Sequence, residues 1–332
     1  MTQQDPQPEI IDRLLDAVYP SFALIAGLEL DLFSQLGDGP RDNQQLAEAL
    51  GVRANKLRPL LYALVAAGLL TVEDDQFANT AEAGHFLVRG RPDYMGDLQP
   101  LVANNWERIL HTAGTIRAGR PLREYDYQHD SQEALAAILR GLIPGTISDA
   151  RRLLAQYDFA NDRSLLDVGG GSGALAMAVA EAHSHLRVTI ADLPQVTPVT
   201  KQFVAEANLS ERIEIIAADM IQEGLPEAYD VVVARHFLQV LSAEACQALL
   251  QNLAAVVRRG GSLVLLGWVL DNSRLTPRKI VDYNLVLLNG YEAGEAYTEK
   301  EYFAWLQQAG FVAPERKVLD DDSSIITARR LA

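Results

Sequence analysis

The chain has 332 residues, of which 48% are hydrophobic and 22% charged, and its formal net charge is −15. This length accommodates two domains, and the acidic balance argues against nucleic acid or an anionic membrane as a partner. A single cysteine, Cys246, excludes a disulfide within the chain and is typical of a reducing compartment. Residues 1–8 are polar and no run of about 18 apolar residues occurs, so we expect a cytoplasmic protein.

The first hundred residues read as helices followed by a hairpin. Apolar residues at helical spacing predict helices over residues 10–19, 21–36, 43–50 and 54–67, and alternation around Glu73-Asp74-Asp75 predicts a hairpin over residues 68–78. This order is the winged-helix pattern. Residues 1–95 hold 7 Lys and Arg against 14 Asp and Glu, the opposite of a DNA-binding balance. We therefore interpret residues 1–100 as a winged-helix-like dimerisation domain, in which apolar helices need a partner surface.

Residues 101–160 are predicted to form a helical linker that contributes to a substrate cavity. From residue 161 to residue 332, strands and helices alternate. The predicted strands cover residues 165–168, 187–191, 213–217, 230–235 and 262–269, and the predicted helices cover residues 174–182, 197–208, 243–257 and 299–309. Such alternation gives a doubly wound, parallel α/β sheet, and strands near residues 316–318 and 324–328 give it an antiparallel edge.

The segment Leu165–Gly173 reads Leu-Leu-Asp-Val-Gly-Gly-Gly-Ser-Gly, an apolar strand that runs into a glycine-rich turn before a helix. Glycine allows positive φ and the close approach of a ligand, and the helix N-terminus behind it offers free N–H groups. A nucleotide-type cofactor is therefore expected. Read loosely, Gly169, Gly171 and Ala174 also match the dinucleotide fingerprint.

Acidic residues distinguish a dinucleotide from other nucleotide-type cofactors. Asp167 directly precedes the glycines, where dinucleotide-binding enzymes usually carry an apolar residue. Asp192 ends the second predicted strand, where a carboxylate accepts both hydroxyls of an adenosine ribose. Asp219 and Met220 follow the third strand, where they would supply an acceptor for the adenine amino group and an apolar surface for its ring.

Together these motifs resemble the S-adenosylmethionine-dependent small-molecule O-methyltransferases, which include plant phenolic and acetylserotonin O-methyltransferases and bacterial antibiotic-tailoring enzymes. The similarity rests on the glycine-rich segment, on Asp192-Leu193-Pro194 and on Ala218-Asp219-Met220, and it extends over roughly residues 10–330. It implies a class I methyltransferase fold, which is Rossmann-like, with an N-terminal helical winged-helix domain that joins a homodimer.

The resemblance also implies a cofactor site for S-adenosylmethionine, with S-adenosylhomocysteine as the product. The glycines would approach the methionine part, Asp192 would hold the ribose, and Arg235 stands where family members carry Lys or Arg near the cofactor. The implied cofactor-binding residues are Asp167, Gly169, Gly171, Asp192, Leu193, Asp219, Met220 and Arg235. No metal site is expected, because the six histidines are dispersed along the chain.

The sequence departs from the family at the general base. The family segment commonly reads Arg-His-Val-Leu-His-Asp-Trp, in which the second His removes the substrate proton, whereas residues 235–241 read Arg-His-Phe-Leu-Gln-Val-Leu. Gln239 therefore occupies the position of the base, and glutamine can only form hydrogen bonds. The orienting Glu of a Glu-Arg-Thr motif is also replaced, since this segment reads Ala296-Tyr297-Thr298. His236 is the remaining His nearby and is a candidate surrogate base.

Three interpretations remain open for the function. A methyltransferase whose substrate needs no protein base would methylate oxygen, nitrogen or carbon by proximity, with Gln239 positioning the substrate and Glu292 or Glu295 as replacement bases. Alternatively, S-adenosylmethionine could act as a bound cation in non-methylating chemistry of the hydroxylase or pericyclase type. The third interpretation is a regulatory winged-helix protein, which the acidic front domain disfavours.

The substrate cavity is expected between the linker helices, the segment after the fourth strand of the sheet and the loops after the fifth. Aromatic and amide side chains there suit an aromatic or polyketide-like small molecule. The predicted substrate residues are Asn105, Trp106, Phe237, Gln239, Tyr283 and Asn284, and further positions considered are Asn104, His111, Asn289 and Tyr291.

Overall fold

The computed structural model describes residues 7–125, 127, 130–319 and 323–331. Most of the polar N-terminal segment considered above, residues 1–6, lies outside the described residues. The chain divides between Ala103 and Asn104 into two compact units. Within the described ranges, no helix is long and apolar enough to cross a membrane.

The first unit combines short helices with a small sheet. Its helices are α1 (Glu9–Asp16), α2 (Val18–Glu29), α3 (Leu32–Gln35), α4 (Asn43–Leu50), α5 (Ala54–Ala66) and α6 (Ala81–Phe86), and its strands are β1 (Arg41–Asp42), β2 (Leu70–Glu73) and β3 (Gln76–Asn79). The strands form an antiparallel sheet in the order β1-β3-β2. Helix α4 begins with a capping box between Asp42 and Gln45 and ends at Gly51, which adopts φ +66°. Helix, turn, helix and hairpin therefore follow one another as predicted.

The second unit begins within a run of helices. These are α7 (Gln99–Ile109), α8 (Thr112–Ala118) and α9 (Gln132–Gln156). Alternating elements follow: β4 (Ser164–Val168), α10 (Ala174–Ala182), β5 (Arg187–Asp192), α11 (Thr197–Glu206), β6 (Ile213–Ala217), β7 (Tyr229–Arg235), α12 (Ala243–Val256), β8 (Val257–Gly267), α13 (Arg278–Gly290), α14 (Glu299–Gln308), β9 (Phe311–Val318) and β10 (Ser324–Arg330).

The sheet of the second unit has seven strands in the order β6-β5-β4-β7-β8-β10-β9. Strands β4 to β8 pair in parallel, and β10 pairs antiparallel with both β8 and β9. All five residues of β4 are buried, as expected for a central strand covered on both faces. The fold class expected from the sequence is therefore confirmed: a Rossmann-like doubly wound sheet with an antiparallel edge.

Helices α1 and α2 carry an exposed apolar stripe in the first unit. None of the residues of α1 is buried. The stripe consists of Ile10, Ile11, Leu14, Leu15, Val18, Tyr19 and Phe22, each 43–66% exposed. An apolar surface of this extent on a helix is typical of a protein–protein contact. The stripe is therefore the surface of this unit that best fits self-association.

We expect Leu14→Glu to raise the dimer dissociation constant by about tenfold or more, because an unpaired carboxylate buried in an apolar contact is unfavourable. Size-exclusion chromatography with light scattering over a concentration series measures this change. Leu275→Glu is the matched control, since Leu275 is an exposed leucine of the second unit. A wild-type monomer, or a variant that stays dimeric at all concentrations, would contradict the assignment of the stripe.

Candidate active site

The candidate site lies at the carboxyl ends of the central parallel strands. Chain order reverses between β4 and β7, and ligands of open α/β sheets bind outside the strand ends at such a point. Strand β4 runs into the glycine-rich turn, β5 ends at Asp192, and β7 ends at Arg235. The sheet topology thus places the glycine-rich turn, Asp192 and Arg235, all predicted from the sequence, at one edge of the sheet.

The glycine-rich turn requires glycine at specific positions. Gly169 and Gly171 adopt φ of +67° and +55°, in the left-handed region that disfavours residues with a Cβ. A Cβ at Gly169 would also lie 3.3 Å from the ring of Phe237. The Gly169 N–H donates to the Ala191 carbonyl at 2.8 Å, which joins the turn to the end of β5. Phe237, a predicted substrate residue, therefore packs directly on the turn.

Asp192 and Asp167 place two carboxyl groups beside this turn. Asp192 accepts the Gly171 N–H at 2.8 Å and the Leu193 N–H at 2.7 Å, and burial raises its pKa although these bonds oppose the shift. Asp167 is fully buried, and neither of its carboxylate oxygens has a hydrogen-bond partner among the described residues. Burial raises the pKa of Asp167 to about 7. A buried acid without a partner fits a cationic amino group, such as that of an amino-acid-bearing cofactor.

The segment after β6 lies against the end of β5. The Ala218 N–H donates to the Asp192 carbonyl at 2.9 Å. Asp219 is partly buried and its carboxylate accepts the Ile221 N–H at 3.0 Å, whereas Met220 is only 3% exposed and packs into the core. Leu193 is partly buried beside the end of β5. The predicted ribose and adenine positions are therefore adjacent along the sheet edge.

Arg235 pairs with Asp149, a residue of α9 that the sequence analysis did not consider. The Arg235 guanidinium contacts the Asp149 carboxylate at 2.6 Å and 2.7 Å. Burial acts to raise the pKa of Asp149, but hydrogen bonds and charge from His236 and Arg235 lower it to about 2. Arg152 contacts the other carboxylate oxygen at 3.0 Å. Asp149 is therefore an ionised anchor between α9 and the end of β7.

His236 has both ring nitrogens engaged. Its Nε2 lies 3.3 Å from the Asp149 carboxylate, and its Nδ1 lies 3.2 Å from Oε1 of Gln239. The same Oε1 accepts the backbone N–H of Trp268 at 3.3 Å, so the Gln239 side-chain carbonyl faces both groups. The His236 backbone adopts φ +50°, an uncommon conformation that indicates a position fixed by its surroundings. Both ring nitrogens of His236 therefore lie within hydrogen-bonding reach of other side chains of the protein.

An aromatic cluster adjoins this segment. The Trp268 ring lies 4.8 Å from that of His236 and 4.0 Å from that of Tyr283. Tyr125 stacks on Tyr127 and contacts Tyr291. The members of this aromatic cluster are Tyr125, Tyr127, Trp268, Tyr283 and Tyr291. Of these, only Tyr283 and Tyr291 were predicted from the sequence. The alternating tyrosines of Arg-Glu-Tyr-Asp-Tyr, residues 123–127, were the pattern that could have indicated Tyr125 and Tyr127.

Some of the polar residues considered for the substrate cavity form hydrogen bonds with other residues of the protein. Asn284 accepts the Ala296 N–H at 2.7 Å, and Asn105 accepts a hydrogen bond from the Tyr125 hydroxyl. The Asn289 amide bonds Thr112, Thr115 and Leu285.

The other predicted residues lie nearer the surface. Glu295 pairs with Arg274 at 2.7 Å, and Glu292 is exposed. Asn104 and Trp106 are partly buried on α7, and His111 is exposed.

Comparison with known proteins identifies the family. The family model described as an O-methyltransferase domain matches residues 103–312, and that of the O-methyltransferase dimerisation domain matches residues 12–89. The chain belongs to the O-methyltransferase family. The enzyme is therefore a methyltransferase, it uses S-adenosylmethionine, and its first unit contains the dimerisation domain.

Individual relatives agree with this membership. The 3-hydroxy-5-methyl-1-naphthoate 3-O-methyltransferase of Streptomyces sahachiroi is 30% identical over 91% of this chain and 89% of its own. The N,N-dimethyltransferase OxyT of Streptomyces rimosus is 27% identical over 93% and 92%. Human N-acetylserotonin methyltransferase, solved in complex with SAM, shares the fold with a TM-score of 0.87 at 23% identity, covering 100% of both chains.

The residues at the sheet edge fit this cofactor. Asp167 offers a buried, unpartnered carboxyl group, and Asp192 offers a carboxylate at the end of β5. The glycine turn between them leaves the backbone accessible where a side chain would not fit.

We expect Asp192→Ala to weaken S-adenosylhomocysteine binding by about tenfold or more, because a hydrogen bond to a charged group contributes roughly 1.5–3 kcal/mol. Isothermal titration calorimetry measures the affinity. Glu211→Ala is the control, since Glu211 is exposed. Unchanged affinity in Asp192→Ala would contradict its assignment to the ribose.

Cofactor affinity should also depend on pH through Asp167, whose pKa is raised to about 7 by burial. Above that pH the carboxylate is ionised and pairs with a cationic amino group, and below it the neutral acid does not. Affinity for S-adenosylhomocysteine should therefore fall as pH is lowered from 8 to 5.5, by up to about tenfold per pH unit below the raised pKa. Calorimetry across this range should show a flatter dependence in Asp167→Asn. An identical dependence in both proteins would contradict the contact.

Proposed function

We propose that this enzyme methylates a small aromatic or polyketide-like metabolite without a histidine general base, as a homodimer joined through its N-terminal domain. The relatives support the substrate class, because one is named for a naphthoate. The aromatic cluster supports it independently, since tyrosine and tryptophan rings suit a flat aromatic guest. The dimerisation-domain match and the exposed stripe support the homodimer.

The observation that carries this proposal is the arrangement around Gln239. At the family's base position stands an amide whose Oε1 accepts from Trp268 and faces His236. The orienting Glu is replaced by Ala296, which is fully buried. Thr298 instead begins α14 in a capping box with Glu301. Because glutamine has no titratable proton near neutral pH, this segment can position an acceptor but cannot deprotonate it.

Proximity and orientation then account for the acceleration. Bound S-adenosylmethionine supplies an electrophilic methyl group on a positively charged sulfur. The chain's own contribution is to hold the acceptor near the end of β7, with the Gln239 NH2 group as the remaining donor of that side chain. Such positioning provides a large part of many enzymatic accelerations without proton transfer.

An acceptor that works without a protein base must already be nucleophilic. A phenol that ionises readily, an amine or an electron-rich ring carbon meets this requirement. The relative named as an N,N-dimethyltransferase shows that a similar chain is named for transfer to nitrogen. We include nitrogen and carbon beside oxygen for this reason.

The proposal predicts how the rate depends on pH. With acceptor phenols of graded acidity on one ring skeleton, such as 2-naphthol and its halogenated derivatives, kcat/KM should rise about tenfold per pH unit up to each phenol's own pKa. The inflection should move with the acceptor, because no protein group supplies the base. Transfer of a radiolabelled methyl group from S-adenosylmethionine measures the rate. One inflection shared by all phenols would contradict the proposal.

Gln239 variants separate positioning from base catalysis. Gln239→Ala should lower kcat/KM by about tenfold and leave the inflection unchanged, because only an orienting contact is lost. Gln308→Ala is the control, since Gln308 is exposed at the end of α14.

Native mass spectrometry of the purified protein provides an independent test. A protein that retains intact S-adenosylmethionine and methylates none of the acceptors would favour a non-methylating role for the cofactor.

A further inference from the structure

Arg108 is a buried cation, and two of its three guanidinium nitrogens have no acceptor among the described residues. It lies on α7 and is only 8% exposed. Its Nε and Nη1 are inaccessible to solvent, and neither has a hydrogen-bond partner among the described residues. Its guanidinium lies 3.8 Å from the centre of the Tyr125 ring. A cation–π contact alone recovers only part of the hydration that a buried guanidinium loses.

Among the described residues, the side chains next to Arg108 provide no carboxylate that pairs with it. The Tyr125 hydroxyl donates to Asn105, and Tyr127 and Tyr291 are joined through their hydroxyl oxygens at 3.0 Å. Burial raises the pKa of Tyr125, raises that of Tyr127 to about 12 and raises that of Tyr291 well above its usual value, so all three are neutral near pH 7. The adjacent Glu107 is exposed and pairs with Arg123. The charge of Arg108 is therefore available to a ligand.

This cation belongs to the same region as the candidate site. Tyr125 contacts Tyr291, and Tyr283 lies close enough to Tyr291 to raise its pKa. Tyr283 in turn contacts the ring of Trp268, and the backbone N–H of Trp268 donates to Gln239. Arg108 and the segment where the acceptor is expected therefore adjoin the same group of aromatic side chains.

We propose that Arg108 binds the carboxylate of the substrate, and that the substrate is an aromatic acid whose rings lie in the aromatic cluster. This inference rests on the proposed function. One guanidinium matches one negative charge, and a carboxylate accepts from guanidinium N–H groups at little geometric cost. Because the whole chain is strongly acidic, selection of an anion must come from such a local charge.

The test compares aromatic acids with their neutral primary amides, which have nearly the same shape. Benzoic, 1-naphthoic, 2-naphthoic and anthracene-9-carboxylic acids and their amides are titrated calorimetrically into the full-length protein saturated with S-adenosylhomocysteine. At least one acid should bind about tenfold or more tightly than its amide, because hydrogen bonds to charged groups are the stronger ones. Arg108→Met should abolish this preference, and Arg123→Met, an exposed arginine, should retain it.

Thermal unfolding of the ligand-free protein distinguishes a binding role from a structural one. Removing an unpaired buried charge should leave the Tm of Arg108→Met unchanged or higher, whereas loss of a structural contact would lower it. Equal binding of acids and amides by the wild-type protein, including no binding of either, would overturn the inference. So would a lower Tm with equal loss of both ligands in Arg108→Met. Failure of the proposed function is separate, because it would appear as absent S-adenosylhomocysteine binding or absent methyl transfer.

Discussion

The ion pair between Asp149 and Arg235 organises the acceptor side of this methyltransferase. It connects the long helix α9 to the end of β7, and the same carboxylate faces His236. Because the pair is largely buried, each charge depends on the other to offset its lost hydration. His236 then holds Oε1 of Gln239 together with the Trp268 N–H. The orientation of Gln239 therefore depends on a carboxylate 90 residues earlier in the chain.

Unlike Asp149, the two carboxyl groups proposed to hold the cofactor, Asp167 and Asp192, form no salt bridge among the described residues. Asp167 has no hydrogen-bond partner among the described residues, and burial raises the pKa of both Asp167 and Asp192. Arg108, which we propose to face the substrate, is similar, because two of its guanidinium nitrogens lack acceptors among the described residues. Uncompensated buried groups lower the stability of the free protein, and a complementary ligand recovers that free energy on binding. A site of this kind selects ligands by charge as well as by shape.

The sequence predicted those features that local pattern determines. Strand β4, the glycine turn and α10 were predicted closely, since an apolar run, positive-φ glycines and a helical pattern lie within 18 residues. The proposed role of Gln239 likewise rests on a local pattern, that of residues 235–241. Asp149 and Arg108 were missed, because each lies on a helix face whose partners are distant in sequence: 86 residues separate Asp149 from Arg235 in their hydrogen bond. The burial of two Arg108 nitrogens without acceptors cannot be predicted from the composition or the periodicity of the sequence.

With Gln239 at the base position, as proposed, the segment after β7 needs no neighbouring carboxylate to orient a histidine. A catalytic histidine needs an orienting carboxylate, and here that position is Ala296, which donates its backbone N–H to Asn284. Under the proposed function, neither the base position nor its orienting position carries a charge. Asp149 is charged, since its pKa of about 2 keeps it ionised. The segment then has no histidine base for a carboxylate to orient, which fits a site that positions its substrate through hydrogen bonds and aromatic contacts.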